Sequence, residues 1–101
     1  MNEDAYTVTV AKDLEDLIPT FLANRAKELD ALRAALASGD MAQLRYLGHR
    51  MKGVGNSYGF ARVSEIGRQI EEGATSGDRA ALEASIAAYA NYLARVRVVY
   101  A

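Results

Sequence analysis

The sequence has no cysteine and no tryptophan, and only one proline and one histidine among its 101 residues. Without cysteine there are no disulfides, no thiolate nucleophile and no thiolate-held metal, which fits a reducing compartment. Long apolar runs are also missing. No segment approaches the ~18 consecutive apolar residues of a membrane-spanning helix, and the acidic start MNEDAYTVTV lacks the basic lead and apolar run of a signal peptide. A cytoplasmic chain is expected. A formal net charge of -1, with 25% charged residues, provides no overall field for nucleic acid or an anionic membrane, so neither partner is expected. Half of the residues are apolar, enough for one compact domain that folds alone, and the chain is too short for two; a monomer is expected.

What is present is helical periodicity. Phe21, Leu22, Leu29, Leu32 and Leu36 mark one apolar stripe, and Met41, Leu44, Leu47, Gly48 and Met51 a second. Val63, Ile66, Gly67, Ile70 and Ala74 form a third, and Leu82, Ile86, Tyr89, Leu93 and Val96 a fourth. Ser38-Gly39-Asp40 and Gly77-Asp78 punctuate these segments: glycine suits the left-handed position that closes a helix, and aspartate caps the next. Asp13 is expected to cap a turn over residues 14 to 18, with Pro19 opening or kinking the first long helix. TVTV at 7 to 10 is the one alternating stretch read as extended, a short lead-in. Short links favour antiparallel neighbours. The expected fold is all-α, an antiparallel up-down four-helix bundle over residues 13 to 101, with residues 1 to 12 as an N-terminal extension.

The only histidine lies in HRMKGVGNSYGF, residues 49 to 60. On a wheel of ~100° per residue, Leu44, Leu47, Gly48 and Met51 face inward and His49 faces away from them. Arg45, Lys52 and Asn56 share its outer stripe, and Gly53 leaves bare backbone one turn on. Gly48 and Gly67 fall on inner faces, where a missing side chain permits close helix approach, and Gly55 falls near the inner face. Gly59 is expected to permit the chain reversal into the third helix. Imidazole ordinarily titrates near 6.5 and is a competent nucleophile at cellular pH, while neighbouring cations favour the neutral ring. Arg50 points further round the helix and is the weaker candidate.

His49, Lys52, Gly53 and Gly59 together form H-x-x-K-G-x-x-x-x-x-G, which resembles the signature of histidine-containing phosphotransfer (HPt) domains, the phosphoryl carriers of multistep two-component relays. The resemblance spans roughly residues 8 to 100: ALRAALASGDMAQLRYLGHRMKGVGNSYGFARVSEIGRQIEE looks like the family's central helices, and DLEDLIPTFLANR like its N-terminal segment. It implies that His49 is the phosphoacceptor through the ring nitrogen farther from the backbone and that Lys52 supports the phosphoryl group. Arg45, Gly53 and Asn56 would surround the phosphohistidine.

The expected function is therefore a phosphorelay intermediate that accepts a phosphoryl group from a receiver-domain aspartyl phosphate and passes it to another receiver. The partners implied are response-regulator receiver domains or a hybrid histidine kinase. No glycine-rich nucleotide loop or P-loop is visible, so the chain is expected to be a carrier and not a kinase. It is expected to need no cofactor of its own, the magnesium ion belonging to the receiver. One histidine without an acidic residue at i+3 or i+4 makes a poor metal site. The alternative is a helical-bundle adaptor that binds a receiver or histidine kinase without carrying phosphate.

Overall fold

A computed structural model describes residues 6–101. In order these form strand β1 (Tyr6–Val10), a 3-10 helix (Lys12–Leu17), helices α1 (Ile18–Ser38), α2 (Met41–Ser57), α3 (Ala61–Ser76) and α4 (Arg79–Arg95), and strand β2 (Val96–Tyr100). None of these helices is long and apolar enough to cross a membrane. Residues 1 to 5 of the expected extension lie outside the described residues.

The four expected helices form where the apolar stripes predict them, and their ends follow local chemistry. Gly39 and Gly77 take left-handed conformations at φ 70° and 68°, closing α1 and α3. Asp40 and Asp78 then cap α2 and α4, their carboxylates accepting from the backbone N–H groups of Gln43 (3.0 Å) and Ala81 (3.1 Å). Pro19 sits in the first turn of α1, where its missing N–H is not needed. Asp13 does not act as a cap. It lies within the 3-10 helix, whose flanking residue is Ala11.

The stripes meet in one core, with Leu32, Leu44, Met51, Ile66, Ile70, Leu82 and Tyr89 fully buried. Phe21 stacks on Tyr58 and Phe60 at centroid distances of 4.6 and 4.8 Å, joining α1 to the α2–α3 link. Tyr89 donates a 2.9 Å hydrogen bond to Glu28, tying α4 to α1. The closest approach is between α2 and α3. A Cβ on Gly48 would stand 2.7 Å from the Glu71 backbone nitrogen, and one on Gly67 2.6 Å from that of Lys52, so these two helices touch backbone to backbone only because both positions are glycine. Gly55 serves the same contact beside Ser64, whose Oγ accepts from the Asn56 N–H at 2.8 Å.

The described residues depart from an all-α fold at Tyr6–Val10 and Val96–Tyr100. β1 and β2 form a two-stranded parallel sheet with Tyr6 opposite Val96 and Val10 opposite Tyr100. Val96 therefore begins a strand and does not end the fourth helical stripe. The residues around and after it carried the signal: Arg95-Val96-Arg97-Val98 alternates and Val96-Arg97-Val98-Val99-Tyr100 is rich in β-branched residues, which favour a pleated surface over a helix. The extended lead-in at 7 to 10 is strand β1. It is packed into the fold through Val10, 2% exposed, and through the ring of Tyr6, 5.1 Å from that of Tyr92.

Candidate functional site

His49 follows Gly48 on α2, and its side chain is 67% exposed on the flank that faces α3. The Gly48–Gly67 crossing brings the backbone of Glu71 against α2, and the Glu71 side chain then reaches two residues at once. Its Oε2 lies 3.0 Å from His49 Nδ1, and its Oε1 lies 2.8 Å from Lys52 Nζ. Lys52 is one turn beyond His49, so one carboxylate spans the two. The lysine hydrogen bond holds the Glu71 carboxyl below its usual value of 4.5, aided by His49 and opposed by desolvation.

An ionised carboxylate can only accept hydrogen bonds, so the contact at Nδ1 requires a proton on that nitrogen. The neutral ring then carries its lone pair on Nε2, which makes no hydrogen bond among the described residues. The arrangement supplies an oriented, accessible nucleophile with an ammonium group one turn away.

The outer stripe is only partly assembled. Lys52 joins His49 through Glu71, whereas no hydrogen bond or ion pair links Arg45 or Asn56 to His49 among the described residues; both are exposed on α2. Gly53 is exposed, and a Cβ there would meet nothing within 4 Å. Gly59, at φ 86°, turns the chain between α2 and α3 as expected. Arg50 lies over the Tyr46 ring at 5.8 Å and takes no part. Glu71 is the residue that sequence reasoning missed. It lies 22 positions from His49, and the only signal for it was the pair of inner-face glycines that let α3 come so close.

A helical bundle that offers one exposed, carboxylate-oriented imidazole beside a lysine has the construction of a histidine phosphocarrier. A family model described as Hpt domain matches residues 16–98, nearly the whole chain, and the protein belongs to the Hpt family. At family level this means histidine phosphotransfer in phosphorelay signalling, with receiver domains and histidine kinases as partners. No curated protein and no solved structure matches the chain.

Proposed function

We propose that the protein is a phosphorelay intermediate in which His49 Nε2 carries the phosphoryl group between receiver domains. The observation that carries this reading is the 3.0 Å contact of Nδ1 with Glu71, which leaves Nε2 as the nucleophile. In the accepting step the Nε2 lone pair attacks phosphorus of a receiver's aspartyl phosphate. The N–P bond forms, the P–O bond to the aspartyl carboxylate breaks, and that carboxylate leaves with the electron pair. Donation to a second receiver is the same exchange in reverse. Lys52 offsets charge on the transferring group, and Glu71 neutralises the ring as it becomes cationic.

On this reading the chain has no kinase activity of its own and needs no resident cofactor, the magnesium ion residing on the receiver. It works as a cytoplasmic monomer, with helices alternating in direction through the short links at Gly39-Asp40 and Gly77-Asp78. Docking centres on the outer face of residues 42 to 53. Gly53, open beside the ring, gives the receiver's acidic pocket room to close on the imidazole.

The test is incubation with receivers carrying radiolabelled aspartyl phosphate. Acid-labile, base-stable label on the parent chain, absent from His49→Gln, is the expected result. Binding without any transfer of label would establish the adaptor instead.

A further inference from the structure

The site at His49 lies between α2 and α3. On the other flank of α2, against α1, is a cavity of about 460 Å³ lined by Asn24, Arg25, Lys27, Glu28, Gln43 and Arg50, together with two apolar residues. None of these side chains touches His49, Lys52 or Glu71 through a hydrogen bond or ion pair among the described residues.

Arg25 makes the cavity unusual. The residue is only 5% exposed, yet its Nε and Nη1 atoms are buried without a hydrogen-bond partner. Its guanidinium lies 4.9 Å from the centroid of the Phe21 ring. The nearest carboxylate oxygen, Glu28 Oε1, is 3.5 Å from Nε and already accepts the Tyr89 hydroxyl at 2.9 Å. A buried cation with idle donors is costly, and a cavity beside it gives an acceptor somewhere to sit.

Charge points the same way. Arg25, Lys27 and Arg50 line the cavity as cations, and Glu28 is the single anion among the lining residues. Burial raises the Glu28 carboxyl above its usual 4.5, against the pull of Arg25, Tyr89 and Arg50. A planar guanidinium matches the paired oxygens of a phosphate or carboxylate, and the amides of Asn24 and Gln43 are further donors on the cavity wall.

We propose that this cavity is a binding site for a small free oxyanion, a phosphate or carboxylate, gripped by Arg25 and Arg50. Its occupant bridges α1 and α2 and supplies acceptors to the Arg25 guanidinium, which is ion-paired with Glu28 but makes no hydrogen bond through Nε or Nη1.

Inorganic phosphate and acetate, each titrated into the isotopically labelled full chain against sodium chloride at matched ionic strength, test the proposal. Saturable amide shifts at residues 24, 25, 43 and 50 are expected, together with a thermal midpoint that climbs with the logarithm of anion concentration. Arg50→Gln, at an exposed position, is expected to weaken binding about tenfold, the loss of one charged hydrogen bond. His49→Ala retains binding, which separates this site from the phosphotransfer centre. Arg25→Met, a change of similar length without the donors, removes saturation; should it fail to fold, Arg50→Gln and Lys27→Gln still decide the matter. Shifts no larger than those with chloride, shifts confined to residues 49 to 53, or binding indifferent to Arg50→Gln would each overturn the proposal. Failure of both free anions alongside protection of the cavity by a receiver would also overturn it, identifying an acidic side chain of the partner as the occupant.

Discussion

Glu71 Oε2 stands 3.0 Å from His49 Nδ1 across the α2–α3 contact, and the same carboxylate holds Lys52. Removing it should cost orientation and charge balance while the nucleophile remains. Glu71→Ala is expected to slow phosphoryl acceptance about tenfold, the equivalent of one hydrogen bond to a charged group. Nitrogen-15 spectra should show the Nδ1–H tautomer in the parent and a mixture in the variant. Unchanged tautomer and rate would reduce Glu71 to a surface ion pair.

His49→Ala should leave stability nearly unchanged and abolish acceptance, because the side chain is two-thirds exposed and adds nothing to the core. Urea unfolding checks the first half and labelling by a receiver the second. A loss of several kcal/mol would place the ring in a structural role.

Lys52 acts on both chemistry and titration. Lys52→Ala should slow transfer under single-turnover conditions yet leave detectable label, since the nucleophile is intact. In the parent the Glu71 carboxyl is held below 4.5, chiefly by the Lys52 hydrogen bond. A depressed folded-state value means that the stabilisation is present above about pH 4.5 and fades as pH falls through the lower, folded value. A carboxyl carbon-13 titration of Glu71 should move up toward 4.5 in Lys52→Ala, and an unmoved titration would show that lysine is not the cause.

Gly53 separates access from stability. The space around a Cβ at this exposed helical position is open, so Gly53→Ala should stabilise the fold by roughly 0.5 to 1 kcal/mol. Side chains lean toward a helix N-terminus, so a larger one at 53 would cover the imidazole one turn earlier. Gly53→Ala should therefore accept phosphate more slowly, and Gly53→Gln should stay folded and nearly lose transfer. Parental rates in a folded Gly53→Gln would remove the access role.

Gly67 has the opposite character. Its Cβ would fall 2.6 Å from the Lys52 nitrogen and 2.7 Å from the Gly48 carbonyl oxygen, both backbone atoms that cannot rotate away. Gly67→Ala is expected to cost about 1 to 3 kcal/mol in denaturant unfolding and to part His49 from Glu71, slowing transfer as Glu71→Ala does. A variant of parental stability would mean that the two helices can separate freely.

Much of this fold is written in short-range pattern. The 3.6-residue stripes through Leu32, Leu44, Ile66 and Leu82 specify four helices, and the Gly39-Asp40 and Gly77-Asp78 pairs mark their ends, because propensity, capping and the left-handed turn act within a few residues. The spacing of His49, Lys52, Gly53 and Gly59 was legible for the same reason: one helix and its terminal turn contain them all.

What the sequence alone determined, then, was the helices and the outward-facing imidazole on one of them; the carboxylate that meets it came from the tertiary structure. Glu71 becomes a partner of His49 only when Gly48 and Gly67 let α2 and α3 meet at backbone distance. Val96 leaves the helical pattern on a local signal, but its pairing with Tyr6 exists only because the fold brings residues 6–10 and 96–100 side by side. That Arg25 is buried with no hydrogen bond at Nε or Nη1 likewise depends on the packing of α1 against its neighbours. Local pattern sets which way a side chain leaves its own helix, whereas the residue it meets depends on how closely another backbone can approach.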